Sequence, residues 1–303
     1  MNAPRRPPRR RLDGVLLLDK SLGISSNYAL QAARRLYNAD KAGHTGTLDP
    51  LATGLLPLCF GEATKFSSAL LDADKRYVAT VQLGVTTDTA DAEGVVLMRR
   101  PVITNRADLE QVLARFQGDI EQIPPMHSAL KRDGKPLYAY AREGIVLERA
   151  PRHVHIYQIQ LLEWEAEHFV FEVSCSKGTY VRTLAADIGE ALGCGGHLIA
   201  LRRTGIGVLD VTQAHTMTLL ESLDNPARDA LLLPPDALLP GLAMARLNAD
   251  NAAKVRQGQA IRWIGEAGVR MRVYDEDNHF IGVCQMMADG WLQPQRLVSV
   301  AVQ

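Results

Sequence analysis

The chain has 303 residues, of which 47% are apolar and 22% charged, and Lys plus Arg equal Asp plus Glu at 34 each. This composition is typical of a globular protein and excludes a chain that is disordered throughout. A balanced total charge neither favours nor excludes a nucleic-acid partner, because phosphate binding requires a basic patch rather than a basic total. The length predicts one large domain and a small one.

The cysteines are widely spaced and include no Cys-x-x-Cys pair, which argues against a structural zinc site and against a disulfide framework. We expect buried, idle thiols in a reducing cytoplasm. No apolar run approaches the roughly 18 residues of a membrane span, and no apolar core follows the Arg/Pro-rich start as it would in a signal peptide. The four cysteines are Cys59, Cys175, Cys194 and Cys284.

The first eleven residues contain five arginines and three prolines, a composition that does not form a packed element. We predict a disordered arm over residues 1–12. It is either a solvated tail or a flexible segment that adds electrostatic affinity for RNA.

A large domain is predicted over residues 13–240. It opens with a buried strand at Gly14–Lys20, followed by a helix whose N-cap is Ser25 or Ser26. The stretch 43–66 combines glycine, threonine and proline with a long apolar tail, and we predict a loop there.

Further along, apolar alternation predicts a strand over 75–84, and leucines at helical spacing predict a helix capped by Thr104. A basic and aromatic insertion follows at about 124–151. Two apolar segments after it predict paired strands. A strong helical pattern then runs over 179–193 to a glycine stop, and the sequence GGHLIALRRTGIGVL returns to strand structure.

A proline-rich segment predicts the end of the large domain, with a boundary near Pro240. Residues 241–303 contain a short helical pattern and three strand patterns separated by DEDN and ADG, which predict a small β-rich module. Strands and helices alternate irregularly along the whole chain. This favours an α+β fold, with a mixed or antiparallel sheet flanked by helices, over a doubly wound parallel fold.

Asp49 is the first candidate for chemistry. The residue before a proline is pushed to extended backbone, so Asp49 is presented from a loop rather than a helix. An Asx-turn would explain the Asp-Pro pair alone, but the surrounding leucines imply partial burial, and a buried carboxylate needs a partner. Arg182, in the first turn of a predicted helix, is the candidate partner and would lower the pKa of Asp49.

Other polar residues allow more than one interpretation. His44 has no second His or Cys at metal spacing, so we predict no metal site. Tyr77 and Tyr180 lie at junctions between elements, where core packing is the usual role and stacking on a nucleobase the alternative. A glycoside hydrolase would need a second carboxylate beside Asp49. The candidates for that carboxylate are Asp72, Asp74, Asp88 and Asp91.

Six motifs, in this order, resemble the bacterial tRNA pseudouridine-55 synthases, known as the TruB family. The resemblance extends from about Gly14 to Arg203 and implies that the module over 241–303 is PUA-like and binds RNA. Ser21 departs from the family pattern, which usually has proline there, and His127 stands where an aromatic residue is expected. The motifs are GHTGTLDPLATGLL, GEATK, DKRY, PPMHSALK with GKPLY and YAR, KGTYVR, and GHLIALRR.

This resemblance implies an isomerase that converts uridine-55 in the T loop of tRNA to pseudouridine, by base flipping and without cofactor or metal. Asp49 matches the nucleophile and Arg182 its ion-pair partner. Tyr77 matches the ring that stacks on the target uracil and is a candidate for moving a proton. Tyr180 and Leu201 match the lining of the uracil pocket. Whether Asp49 attacks C1′ or C6, or acts after glycosidic cleavage, stays open.

The resemblance also implies RNA contacts outside the pocket. His44 matches a histidine that enters the T loop, and Lys65 is expected to contact the substrate. The basic residues of the insertion are expected to grip RNA. We expect a cytoplasmic monomer whose partner is the T stem-loop of tRNA, with no membrane and no obligate protein partner. The alternative is a non-catalytic RNA-binding protein that folds tRNA with the same base-flipping pocket. The basic residues are Lys131, Arg132 and Lys135.

Overall fold

The structure is a computed structural model, and it describes residues 8–299. Within that range the strands are β1 (Gly14–Lys20), β2 (Ala42–His44), β3 (Ala52–Phe60), β4 (Lys75–Leu83), β5 (Val85–Thr87), β6 (Val96–Arg99), β7 (Gly118–Gln122), β8 (Lys131–Arg132), β9 (Lys135–Pro136), β10 (Arg152–Trp164), β11 (His168–Cys175), β12 (Gly196–Ile206), β13 (Leu209–Asp210), β14 (His215–Thr216), β15 (Ala243–Arg246), β16 (Ile261–Arg262), β17 (Arg270–Tyr274), β18 (Phe280–Met286) and β19 (Trp291–Leu297).

The α-helices of the same range are fewer than the strands. Three 3₁₀ segments, at Gly61–Leu70, Val211–Gln213 and Pro235–Leu238, complete the regular structure. The α-helices are α1 (Ser26–Leu36), α2 (Arg106–Arg115), α3 (Leu137–Arg142), α4 (Val181–Ala191), α5 (Met217–Ser222), α6 (Asn225–Asp229) and α7 (Ala249–Arg256).

A ten-stranded sheet forms the large part of the molecule. Its order is β14-β1-β3-β12-β4-β11-β10-β7, with β2 pairing β3 and β13 pairing β12. The β1–β14 and β3–β12 pairs are parallel, and the other pairs are antiparallel. A second, five-stranded sheet, β15-β17-β18-β19-β16, forms the C-terminal part. The predicted α+β class, its mixed sheet and its small β-rich C-terminal module are therefore confirmed.

Local sequence explains where two of the helices begin. The hydroxyl of Ser25 accepts a hydrogen bond from the Tyr28 amide, so Ser25 is the N-cap of α1, as one of the two predicted alternatives has it. The predicted Thr104 cap of α2 is wrong by one residue. The cap is Asn105, whose side-chain oxygen accepts a hydrogen bond from the Asp108 amide. Asparagine is the more favourable N-cap residue of the two.

The prediction of a loop over 43–66 is wrong for most of that stretch. Only 45–51 is loop, between β2 and the nine-residue strand β3. β3 has no polar alternation because both its faces are buried. It also contains Gly54 at φ +97°, where a Cβ atom would lie 2.3 Å from the Arg203 carbonyl oxygen of β12. Glycine at this position therefore permits close approach of two strands and does not mark a turn.

Both faces of β1 and β3 are covered, by different layers. Leu16 and Leu18 pack with α1, and helices α2 and α4 cover the sheet farther along at β4 and β11. Val15 and Leu17 face the opposite way, into a cluster that includes Val283 of the C-terminal sheet. This two-sided burial explains why residues 15–18 of β1 are continuously apolar, a pattern more often found in parallel sheets.

The C-terminal sheet packs directly on the large sheet's 3₁₀ segments. The rings of Phe66 and Phe280 lie 5.4 Å apart, and the Tyr274 hydroxyl donates to Asp236 Oδ2 at 2.6 Å. The predicted limits of the two domains, with their boundary near Pro240, stay a prediction.

Part of the predicted disordered arm is ordered. The Arg10 amide donates to the Asn38 carbonyl at 2.7 Å, and the Arg10 side chain forms an ion pair with Asp229. The prediction is therefore wrong for residues 8–12, because a main-chain bridge and an ion pair hold the chain there. Its first seven residues lie outside the described range.

All four cysteines are buried and free, as expected from their spacing. Within residues 8–299, every helix falls short of the length and apolar character that a membrane crossing requires.

Gly54→Ala is expected to lower the free energy of unfolding by more than about 1 kcal/mol. The added methyl group would meet the backbone of β12, and the residue would hold a left-handed conformation that alanine disfavours. Urea unfolding measures the change. Gly43→Ala is the matched control, since its Cβ would find no atom nearer than 3.9 Å. Equal stability of the two variants would contradict the close approach of β3 and β12.

Candidate active site

A cavity of about 770 Å³ opens beside the loop that joins β2 to β3. Its walls come from that loop, from β4 and β12, from the start of α4, and from the insertion over 124–151. Polar and apolar groups share the lining. The lining residues include Asp49, Tyr77, Asp91, Tyr180, Arg182 and Leu201.

The loop that carries Asp49 is tied to helix α1. Ser26 is buried, and its hydroxyl donates to the Leu48 carbonyl at 2.9 Å and accepts from the Leu48 amide at 2.7 Å. On the other side, the Ala52 amide donates to the Asp49 carbonyl at 3.0 Å. Residues on both sides of Asp49 are fixed by hydrogen bonds, so the carboxylate is held at one place in the cavity.

Arg182 is the centre of the polar network in this cavity. Its Nε lies 3.1 Å from Asp49 Oδ2, and its Nη1 lies 3.2 Å from Asp91 Oδ2. Nη1 also donates to the Thr89 carbonyl, and Nη2 donates to the His127 carbonyl at 2.7 Å. The Arg182 side chain is 7% exposed and that of Asp49 43%, so the pair is anchored in protein and reaches toward solvent. The predicted Asp49–Arg182 pair is confirmed.

The pKa of Asp49 is raised above its usual value, foremost because burial removes water from the carboxylate and further because Asp91 is negative. Arg182 and then Lys20 act in the opposite direction without reversing the shift. The expectation that Arg182 would leave Asp49 with a lowered pKa is therefore wrong in sign. A single guanidinium shared with a second carboxylate does not offset the desolvation of Asp49.

Lys20 is a buried cation that the sequence did not single out. Its side chain is almost wholly buried, and its Nζ donates to the carbonyls of Ser21 and Ile24 at 2.9 and 2.7 Å. Burial lowers the pKa of Lys20 to about 8, although the charges of Asp49 and Glu93 oppose the shift. Both acceptors of the Lys20 ammonium group are main-chain carbonyls, so having serine instead of proline at position 21 does not remove either hydrogen bond.

Three of the expected pocket residues meet at the cavity. Tyr77 lies on β4, and Leu201 lies on β12, opposite Ala52 and Ala79. Tyr180 precedes the first turn of α4, and Gln122 holds its main chain by accepting from its amide at 3.0 Å and donating to its carbonyl at 3.3 Å. The structure thus brings all three to Asp49.

His44 lies on β2, half-buried and outside the lining of the cavity. Its Nδ1 is buried without a hydrogen-bond partner. Burial foremost, and then the charge of Arg203, lower the pKa of His44, so the ring is neutral at neutral pH.

Lys65 does not line the cavity of Asp49, and its contact with the substrate stays a prediction. Its Nζ bonds Glu62 Oε2 at 2.6 Å and the Leu297 carbonyl at 2.9 Å, and it lies away from the cavity of Asp49. Lys65 instead joins the 3₁₀ segment after β3 to the end of β19. The acidic neighbour in GEATK provides the nearest partner for the ammonium group, which the motif alone could not distinguish from a phosphate contact.

The insertion lies across one wall of the cavity. Tyr138 and Arg142 of α3 line the cavity, as do His127 and its two following residues. Since His127 bonds Arg182 through its carbonyl, its departure from an aromatic residue does not affect that contact.

The three basic residues expected to grip RNA lie on the short hairpin β8–β9, outside the cavity lining. Lys131 and Arg132 are exposed. Lys135 pairs with Glu143 at 2.6 Å and lies over the ring of Tyr140, 4.5 Å from its centroid. Two of the three positive charges, those of Lys131 and Arg132, therefore face solvent.

Of the four candidates for a second carboxylate, only Asp91 lines the cavity. It is buried, and it accepts from the Thr89 hydroxyl and from the Glu93 amide as well as from Arg182. An Asp91 fixed in this way orients Arg182. Asp72 and Asp74 are engaged elsewhere, with Lys177 and Tyr157.

Family profiles match the chain in three consecutive segments. Residues 34–181 match "TruB family pseudouridylate synthase (N terminal domain)". Residues 182–240 match "tRNA pseudouridylate synthase B C-terminal domain", and residues 243–298 match "Pseudouridine synthase II TruB, C-terminal".

Curated relatives are similar over nearly their full length. A protein named tRNA pseudouridine synthase B from Azoarcus sp. (strain BH72) is 55% identical, over 97% of this chain and 98% of the relative. Its namesake from Burkholderia lata is 57% identical, over 98% and 93%. The one from Thiobacillus denitrificans is 55% identical, over 97% and 98%.

Solved structures share the fold at lower identity. A Cbf5–Nop10–Gar1 complex contains a chain with TM-score 0.70 and 27% identity, covering 90% of this chain and 78% of that one. An H/ACA ribonucleoprotein bound to a substrate RNA containing 2′-deoxyuridine contains one with TM-score 0.71 and 23% identity, covering 95% and 86%.

The Asp49 carboxyl is expected to titrate above the usual aspartate pKa, and Asp91→Asn is expected to bring its midpoint down because a like charge is removed. Carboxyl ¹³C NMR across the acid range measures both. Asp88→Asn is the control, being the same substitution at a residue outside the cavity lining. A wild-type midpoint at or below the usual value would show that Arg182 outweighs burial.

Proposed function

The chain belongs to the TruB family of pseudouridylate synthases, and we propose that it isomerises uridine-55 in the T loop of tRNA to pseudouridine, with Asp49 as the nucleophile. The observation that carries this proposal is the anchored Asp49–Arg182 pair at a cavity that Tyr77, Tyr180 and Leu201 also line. These residues come from distant parts of the sequence, and the sheet brings them to one place.

In the proposed reaction the N1–C1′ bond of the nucleoside breaks and a C5–C1′ bond forms. The C5 proton is lost and N1 gains one, so substrate and product have the same atoms. No electrons are gained or lost overall, and the reaction therefore requires no redox cofactor. Asp49, as a carboxylate with one oxygen toward Arg182, offers its other oxygen as the nucleophile.

Base flipping is part of the proposal because a stacked base cannot reach Asp49. Extrusion costs a few kcal/mol, least for a base in an already unpaired loop, and the enclosing side chains repay it by contact with the base. Tyr77 provides an aromatic face and Leu201 an apolar one. The T loop presents such unpaired bases together with 2′-hydroxyl groups, which supports recognition by shape.

Arg182 has two roles in this proposal. It favours the ionised form of Asp49 against the effect of burial, and it fixes the direction in which the carboxylate points. Asp91 and the His127 carbonyl hold the guanidinium from behind, so that it does not follow the substrate. Preorganised charges of this kind act without reorganisation when the reaction occurs.

The alternative function is an RNA-folding protein that flips and releases the base without chemistry. The half-buried Asp49 carboxylate argues for catalysis, because binding an anionic RNA near Asp49 and Asp91 is otherwise unfavourable. The basic groups outside the cavity would serve either function. Cytoplasmic location, a monomeric state and independence of protein partners remain predictions.

Asp49→Asn is expected to reduce the single-turnover rate of pseudouridine formation by at least about 10³-fold, on the scale of losing a nucleophile. It should leave the Kd for tRNA within a few-fold, since the amide keeps the size of the carboxyl group. The measurement is base-specific chemical mapping of pseudouridine in an unmodified tRNA transcript, in EDTA, with filter binding alongside.

Asp88→Asn is the matched control for this experiment, since it removes a carboxylate from outside the cavity. We expect pseudouridine at one T-loop position with wild type and with this control. Binding by all three proteins without any pseudouridine would support the RNA-folding alternative. Full activity of Asp49→Asn would overturn the nucleophile assignment alone.

Reversing the two solvent-facing charges of the insertion, Lys131→Glu with Arg132→Glu, is expected to raise KM about tenfold or more and to leave kcat nearly unchanged. Each lost phosphate contact should also reduce the slope of log Kd against log salt by about one. The readouts are steady-state kinetics and a salt series of binding measurements. Arg106→Glu on α2 is the control, and an unchanged affinity in the double variant would remove the hairpin from the RNA interface.

A further inference from the structure

Arg203 is a buried cation beneath the proposed active site. It lies on β12 between Gly54 of β3 and Tyr77 of β4, directly opposite each of them. It is 2% exposed. Residues opposite one another in adjacent strands point to the same face of a sheet, so Arg203 and Tyr77 share a face.

The guanidinium of Arg203 has fewer partners than its burial requires. Its Nε donates to the Leu55 carbonyl at 2.8 Å, and its Nη1 lies 3.5 Å from the Thr47 carbonyl. Its Nη2 is buried without a well-aligned hydrogen-bond partner, and the Tyr77 side chain is the polar group that interacts with the guanidinium. Arg203 forms no ion pair with any carboxylate among residues 8–299. A buried, unpaired cation is costly, and a protein that needed only packing could use an apolar side chain here.

The contacts of Arg203 lead to two parts of the active site. Thr47 is in the loop two residues before Asp49, so one arm of the guanidinium touches the main chain that presents the carboxylate. On the other side is Tyr77, which lines the cavity. Burial raises the pKa of Tyr77, and the nearby Arg203 charge opposes that rise. Arg203 also lowers the pKa of His44 and of Lys20, after the larger effect of burial.

We propose that Arg203 is a positioning residue for the isomerisation, holding the Asp49 loop and the Tyr77 phenol in place and supplying an uncompensated positive charge under the floor of the cavity. This inference rests on the proposed function. Because no carboxylate neutralises the charge, it favours negative charge that develops on the flipped base as the N1–C1′ bond breaks. Arg182, which is shared by two carboxylates, does not leave such a free charge.

The strand itself provides a comparison for this proposal. Arg202, the adjacent residue, points to the opposite face and pairs with both oxygens of Asp19, at 3.0 and 2.7 Å. Arg202 is therefore the same residue type on the same strand, but its charge is neutralised. If substituting Arg203 has an effect that substituting Arg202 does not have, that effect is due to the face of the sheet on which Arg203 lies.

The test compares Arg203→Met and Arg203→Lys with Arg202→Met in single-turnover pseudouridine formation at saturating tRNA. Arg203→Met is expected to lose about 100-fold in rate with Kd for tRNA within about threefold. Arg203→Lys, which keeps the charge, should react at least about tenfold faster than Arg203→Met. Arg202→Met should stay within about threefold of wild type. Urea unfolding of each variant monitors the folded fraction.

A second readout does not depend on turnover. With ¹³Cζ-labelled tyrosine, the Tyr77 phenol should titrate at higher pH in Arg203→Met than in wild type, whereas Arg202→Met should leave it unchanged. If Arg203→Met does not fold, Arg203→Lys alone decides, with an expected loss in kcat of about tenfold and an unchanged KM.

Three results would overturn the proposal. One is a folded Arg203→Met within about threefold of the wild-type rate, and another is an Arg203→Lys as slow as Arg203→Met. The third is a Tyr77 titration midpoint that is the same in Arg203→Met as in wild type. A wild-type protein that makes no pseudouridine would instead overturn the proposed function, and the two failures are thereby distinguishable.

Discussion

The ion pair between Arg182 and Asp49 is the interaction on which the arrangement of the site depends. It joins a loop between two strands to a helix that is more than 130 residues later in the sequence, and Asp91 and two main-chain carbonyls complete the shell of Arg182. A charge in this position must be satisfied on every side, because the desolvation of a buried ion exceeds what one partner returns. The large sheet, α4 and the insertion therefore have to assemble together before the carboxylate has its place.

The sequence predicted the fold class, the first strand and helix, and the pairing of Asp49 with Arg182. These succeeded because each has a local signature: apolar runs, a serine cap, and a carboxylate before proline within apolar surroundings. Motif resemblance indicated the family, and the family profiles and relatives confirm it. They also confirm that the chain is an isomerase of the pseudouridine synthase class.

The failures have physical reasons that concern particular residues. β3 looked like a loop because two-sided burial removes the alternation by which a strand is usually found, and because Gly54 resembles a turn residue. The pKa of Asp49 was expected to fall because sequence shows a neighbouring cation but not the loss of water. The bond from Lys65 to the Leu297 carbonyl could not be foreseen, because a short motif does not show a partner at the far end of the chain. Lys20 and Arg203 had no pattern to distinguish them from surface cations, since burial of a charged side chain is decided by tertiary packing.

The cluster that Val283 completes behind β1 and β3 has a consequence for the modularity of this chain. The C-terminal sheet is packed against the large domain. Its residue Val283 belongs to the same apolar cluster as residues of β3, the strand that follows the Asp49 loop. Cutting the chain near Pro240 would remove Val283 from this cluster and expose apolar residues of the 3₁₀ segment Pro235–Leu238, against which β18 packs. A fragment without the last sixty residues would therefore lose the outer part of the layer behind β1, and chimaeras that exchange only the C-terminal sheet must match the 3₁₀ segments on which it packs.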